Sequence, residues 1–137
     1  MTNFHCLGPF ADALFLPKNM WGAATLPQTK ILPLVDLVIT HGGNNTITES
    51  FYFGKRVIVL PLFGDQLDNG QRVEETGLGL QFQPYHVTQE ELLAGIEKLL
   101  ADDLLEKRMV SISKRIQASK SQQRAAKVIE DVAINNK

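Results

Sequence analysis

Two short apolar runs, Leu37-Val38-Ile39 and Val57-Ile58-Val59-Leu60, constrain this chain more than any other feature of it. Each is β-branched and unbroken by a polar residue. The first is stopped by His41-Gly42-Gly43 and the second by Pro61. Strands of that composition suit burial on both faces, which occurs where helices cover both sides of a parallel sheet. The segments between them agree with this. Asn45 to Phe53 reads as a helix with Ile47 and Phe51 on one face and Gly54 as its stop. Asp65 to Thr76 reads as a second helix, ended by Gly77, and Leu78 to Phe82 as a third strand. Strand, helix, strand, helix, strand at this pitch predicts right-handed βαβ units, an α/β Rossmann-like parallel sheet with flanking helices.

The flanks read differently. Residues 1 to 35 are loop-rich; Phe4-His5-Cys6-Leu7 is a short strand candidate ended by Gly8-Pro9. Pro17, Pro27 and Pro33 bias the residues before them away from helix, so any helix between Gln28 and Leu32 is a single turn. The C-terminal third, from about 88 to 134, is helical. Thr88 and Glu91 form a capping box, after which Leu92, Leu93, Ile96, Leu99 and Leu100 recur on one face. Leu105, Met109, Ile112 and Ile116 make a second stripe, and Ala125, Ile129 and Val132 a third. All three are expected to pack in the core. Asn135-Asn136-Lys137 is expected to fray.

With 137 residues the chain is about one domain long, and its net charge of -1 gives no reason to expect nucleic acid or an anionic membrane as partner. Any anion must therefore be held locally. Cys6 is the only cysteine, which excludes an intrachain disulfide and a thiolate metal cluster and fits a reducing compartment. No stretch reaches the roughly 18 apolar residues of a membrane span, and the N-terminus lacks the pattern of a secretory signal. A soluble, cytoplasmic chain is expected.

Ligands of open α/β sheets bind at the carboxyl ends of strands, and phosphates favour helix N-termini. His41-Gly42-Gly43-Asn44-Asn45-Thr46 falls at such a place. The two glycines let backbone approach a ligand, and Asn and Thr side chains at the helix start can cap it or meet an anion. His41 can donate a hydrogen bond to a phosphate oxygen. Glu49, one helical turn beyond Asn45, can accept hydrogen bonds from a vicinal diol such as a ribose. Past the next strand, Pro61-Leu62-Phe63-Gly64 leads to Asp65-Gln66 at another helix start; an acid beside an amide suits a polyol. The chemistry of these residues points to a nucleotide or phosphosugar site.

The string Leu26-Pro27-Gln28, Ile31-Leu32, Asp36, Thr40-His41-Gly42-Gly43, Asn45-Thr46, Glu49, Gly54, Pro61, Asp65-Gln66 and Asn69 resembles, in order and spacing, the signature segment of the family 1 UDP-glycosyltransferases. The match runs from about Leu26 to Arg72. The resemblance implies that residues 1–137 are part of the C-terminal half of a GT-B glycosyltransferase, the half that binds UDP-sugar. It implies that Gln28 and the backbone around Leu26 meet uracil and ribose. His41, the Gly43 turn, Asn45 and Thr46 would hold the diphosphate, Glu49 the ribose hydroxyls, and Asp65 with Gln66 the donor sugar. No metal and no other cofactor is expected, because the helix end and His41 would stabilise the leaving diphosphate in place of a cation. The implied reaction moves a hexose from UDP to a small lipophilic acceptor with inversion at the anomeric carbon.

Two departures qualify the resemblance. The aromatic residue that stacks on uracil in this family is replaced by Thr25, and Trp21 is not aligned to substitute for it. The acceptor-activating histidine belongs to an N-terminal domain that this sequence does not contain, and neither His5 nor His86 matches it. The chain is thus expected to be part of a larger enzyme and inactive alone; the alternative is a non-catalytic nucleotide-sugar-binding module or the donor-binding subunit of a split transferase. A three-stranded remnant exposes a sheet edge, so marginal stability or self-association is expected. Asn44-Asn45-Thr46 also matches a glycosylation sequon, which is read as accidental because a glycan there would block the phosphate site. Asn69 and Arg72 are read as equally suited to structural and to ligand-binding roles.

Overall fold

The computed structural model describes residues 4–7, 17–23 and 25–135; Gly8, Pro9, Asn136 and Lys137, named in the sequence reading, lie outside them. The chain divides into two compact units, Met1–Leu34 and Val35–Lys137.

In the first unit, β1 (Phe4–Leu7) pairs in parallel with β2 (Met20–Ala23), in register from Phe4 opposite Met20 to Leu7 opposite Ala23. The strand β1 matches expectation, whereas β2 lies in a stretch that reads as loop. Its sequence, Met-Trp-Gly-Ala, has neither β-branched residues nor alternation, so its extended form comes from the partner strand rather than local preference. The helix α1 (Gln28–Ile31) begins after Pro27 and is a single turn, as the prolines require; a 3-10 turn, Leu32–Leu34, continues it and buries Leu32.

The second unit holds a parallel sheet of β3 (Leu37–Thr40), β4 (Arg56–Val59) and β5 (Gly79–Gln81), in that order. The helix α2 (Asn44–Tyr52) connects β3 to β4, and α3 (Asp65–Glu75) connects β4 to β5. Three further helices follow: α4 (Gln89–Leu100), α5 (Asp103–Gln117) and α6 (Ser121–Asn135).

The central strand explains the layering. Its side chains alternate between faces. Val57 and Val59 join Ile47 of α2 and Val73 of α3 in one cluster, while Ile58 joins Leu99 of α4 and Leu105 and Met109 of α5 in another. All three β4 residues are wholly shielded from solvent. Each such side chain contributes roughly 1.5–3 kcal/mol of burial free energy. The strand β3 departs from the sequence reading: Ile39 is 39% exposed, so this strand is not buried on both faces. It is an outer strand of its sheet, and burial on both faces belongs to the central strand only.

Arg56, at the start of β4, is itself buried. Its Nη1 donates to the carbonyls of Leu99 at 2.7 Å, Leu100 at 3.3 Å and Asp102 at 3.4 Å. One guanidinium thus satisfies the open carbonyls where α4 ends, and Glu106 lies 3.8 Å from its Nη2. Three other helix ends are closed by simpler means. The capping box at Thr88 and Glu91 forms as the sequence predicts, and Asp102 Oδ1 accepts from the Leu105 N–H at 2.8 Å. Ser113 Oγ and Gln117 Nε2, both on α5, donate to the Tyr52 carbonyl at 2.6 and 2.9 Å, closing α2.

The apolar stripes fare unequally. Leu92, Ile96, Leu99, Leu105, Met109 and Ile112 pack in or against the core, but Leu93 and Leu100 face solvent. The third stripe is not core: Ile129 is 69% and Val132 is 55% exposed, and Ala125 is exposed too. Periodicity establishes that α6 is amphipathic; it does not say what covers the apolar face.

Candidate functional site

The carboxyl ends of β3 and β4 carry the candidate site. After β3 the chain turns through His41, Gly42 and Gly43 into α2. Gly42 has φ +90°, in the left-handed region, and its amide donates to Thr40 Oγ1 at 3.3 Å. A side chain is excluded there on two grounds. The backbone conformation is strained for an L residue, and a Cβ would stand 2.5 Å from Val59 Cγ1 and 3.4 Å from the Gln66 carbonyl. The glycine therefore lets the β3–α2 turn lie directly against β4 and the first turn of α3. Gly43 serves the neighbouring imidazole: a Cβ at that position would meet His41 Nε2 at 2.7 Å, so the ring folds over the start of α2.

Gly43 is the N-cap of α2 and has no side chain to close the helix end. The first intrahelical bond is from the Ile47 N–H to the Gly43 carbonyl, at 3.1 Å. The end is thus open, with the exposed His41, Asn44 and Asn45 around it and the positive pole of the helix directed outward. The sequence reading allowed Asn or Thr to cap this helix; the structure gives that position to Gly43, which leaves the end free of a competing side-chain oxygen. Thr46 and Glu49 follow on the same helix, both half-buried.

The second half of the site is the β4–α3 junction. Its helix starts at Asp65, one residue after the N-cap Gly64. Gln66 is 6% exposed, and its Oε1 accepts the N–H groups of Leu62 at 2.9 Å and Phe63 at 3.2 Å. The carbonyl of this amide is thus committed to the loop, and only its NH2 end remains for a ligand. Asp65 is exposed. Phe63, between them and β4, is 70% exposed.

Asn69 joins the halves. Its Nδ2 donates to the Gly42 carbonyl at 2.9 Å and lies 3.4 Å from Asp65 Oδ2. The sequence reading left Asn69 undecided, yet it was reachable: it stands one helical turn after Asp65 and so shares its face. Arg72 lines an adjoining apolar groove of about 250 Å³ with Ile47, Phe51 and Val73, and Asn69 itself stands on its wall. Leu26 and Gln28 belong to the first unit, where both are half-buried and Gln28 is the first residue of α1. Among the described residues no three His, Cys, Asp or Glu side chains form a metal-binding group, and no helix is long and apolar enough to cross a membrane.

Residues 14–129 match the family described as "UDP-glucoronosyl and UDP-glucosyl transferase". Among individual proteins, the chain is 30% identical over 100 residues to a sterol 3-beta-glucosyltransferase of Vanderwaltozyma polyspora, covering 73% of this chain and 8% of the relative. It is 32% identical over 115 residues to the NDP-glycosyltransferase YjiC of Bacillus licheniformis, covering 84% of this chain and 29% of that protein. The fold is similar to the crystal structure of the kitacinnamycin glycotransferase, with a TM-score of 0.79 at 29% identity, over 86% of this chain and 30% of the other. The chain spans less than a third of the length of these relatives.

Proposed function

Because the chain belongs to the UDP-glucuronosyl and UDP-glucosyl transferase family, with the parallel sheet and flanking helices of a GT-B glycosyltransferase, we propose that it supplies the UDP-sugar-binding portion of a hexosyltransferase. The observation that carries this reading is the contact between its two strand-end loops. The open N-terminus of α2 and the Asp65-Gln66 start of α3 are held together through Gly42, so a diphosphate and the sugar attached to it can be bound side by side.

In this reading His41, the Gly43 turn, Asn45 and Thr46 hold the diphosphate, and Glu49 the ribose. Asp65 accepts from one sugar hydroxyl while the Gln66 NH2 donates to its neighbour. The helix end and His41 stabilise the departing UDP, and no metal is used. The acceptor is a small lipophilic molecule, as the name of the sterol-acting relative suggests by analogy, and it is met by residues beyond this chain. Transfer by this chain alone is therefore not expected. The outer position of β3 in its sheet favours self-association, and the single cysteine fits a cytoplasmic setting.

Titration of the chain with UDP, UDP-glucose, UDP-glucuronic acid and dTDP, with and without EDTA, tests the reading. Saturable UDP binding that EDTA leaves unchanged and His41→Ala weakens is expected. Absence of UDP binding, or a requirement for metal, would refute it. Turnover of a phenolic acceptor by the chain alone would refute the inactivity.

A further inference from the structure

The Gly42-Gly43 peptide is the softest link in the candidate site. Neither residue has a side chain, and Gly42 sits at φ +90°, so little in the local backbone opposes rotation of the peptide plane between them. The direction of that plane nonetheless matters. A trans peptide carries its C=O and the following N–H on opposite sides. Whatever holds the Gly42 carbonyl therefore also aims the Gly43 N–H, at the very start of α2.

The holder is Asn69. Its Nδ2 bears two hydrogens, and the two acceptors around it are the Gly42 carbonyl at 2.9 Å and Asp65 Oδ2 at 3.4 Å. Neither an aspartate nor a hydrocarbon could serve both, since each lacks a donor. Asn69 is itself carried on α3, whose face toward the sheet is fixed by Val73 in the core. The carbonyl is thus pinned to a rigid helix from 27 residues away in sequence.

Building on the donor-site reading above, we propose that Asn69 is a positioning residue for nucleotide-sugar binding. With the Gly42 carbonyl drawn toward α3, the Gly43 N–H is turned away from α3 and out of the helix end, where it meets the diphosphate. The same amide steadies the Asp65 carboxylate on the sugar side. Asn69 touches neither ligand group; it sets the direction of one donor and of one acceptor that do. The consequence is a penalty for phosphate binding, not for nucleoside binding, when it is removed.

The test is an NMR titration of the isotope-labelled chain and its Asn69→Ala variant with UDP and with uridine, beside thermal unfolding of both. Loss of one hydrogen bond's worth of orientation predicts UDP affinity reduced about five- to tenfold, with uridine affinity unchanged within about twofold. In the free variant the Gly43 amide resonance shifts while those of β4 stay in place. Equal losses for UDP and uridine, accompanied by a lowered unfolding midpoint, would assign Asn69 a general structural role and overturn the proposal. So would unchanged UDP affinity. If the parent chain binds uridine and UDP equally, or binds neither, the donor-site reading itself fails and this inference falls with it.

Discussion

Gln66 reaches back along the chain to Leu62, its side-chain carbonyl accepting the Leu62 N–H at 2.9 Å. With the Phe63 N–H on the same oxygen at 3.2 Å, both of its lone pairs are engaged. The amide is a clamp on the β4–α3 loop before it is anything to a ligand. It can face a ligand only as a donor, while the Asp65 side chain beside it offers acceptor oxygens. That pairing asks for neighbouring hydroxyls, one accepting and one donating.

Replacing Gln66 with methionine keeps much of the volume and frees the loop. Faster amide hydrogen exchange at Leu62 and Phe63 is expected, with a loss of about 1–2 kcal/mol in urea denaturation. Exchange at those two amides as slow as in the parent would show that the clamp is dispensable.

Gly42→Ala meets two obstacles that can be separated. The φ of +90° costs an L residue about 1–3 kcal/mol, and the new methyl collides with Val59 Cγ1. Adding Val59→Ala removes the collision but not the backbone strain, so the double variant should lose less to the Gly42 change than the parent background does. Strict additivity of the two substitutions in denaturation would contradict the contact.

Arg56 stabilises from inside. Methionine there leaves the carbonyls of Leu99, Leu100 and Asp102 without their shared donor. A destabilisation of about 2–3 kcal/mol is expected, with faster exchange at the α4–α5 corner. Glu106→Gln should cost far less, because that carboxylate is largely exposed and 3.8 Å away.

Lys55 supplies a pH dependence. Burial pushes its ammonium below the ordinary value of 10.5; Asp36 opposes this, Arg56 adds to it and Glu106 opposes it. Below the folded pKa both states carry the proton, and the folded state bears the full penalty of the part-buried charge. Between that pKa and 10.5 the unfolded chain binds more protons, so the contribution of this group makes stability rise with pH. Lys55→Met should therefore stabilise the chain most at neutral pH, with the gain shrinking as pH approaches 10.5. Denaturation of both proteins across that range checks it; a gain that widens with pH would contradict the sign.

Much of the strand-end geometry was legible without coordinates because it is local. Apolar β-branched runs become strands, glycines mark their ends, and helix starts place His41 and Asp65 at the carboxyl edge of a parallel sheet whatever the rest of the chain does. The boundaries of α2 and α3 and the capping box at Thr88 rest on the same short-range chemistry.

What sequence alone could not reach depends on partners distant along the chain. The strand β2 depends on pairing with β1, since of its four residues only Trp21 favours a strand. The burial of β4 and the exposure of β3 follow from their order in the sheet. A hydrophobic period shows that α6 has an apolar face, but solvent covers that face here, since period says nothing of neighbours. Above all, the string Asp65-Gln66 and Asn69 names side chains able to donate and accept, while tertiary structure assigns the partners: Gln66 spends its carbonyl on the loop, and Asn69 reaches across 27 residues to Gly42. Residue type determines which hydrogen bonds a side chain is able to make. Only the packed fold decides which of them are already taken before a ligand arrives.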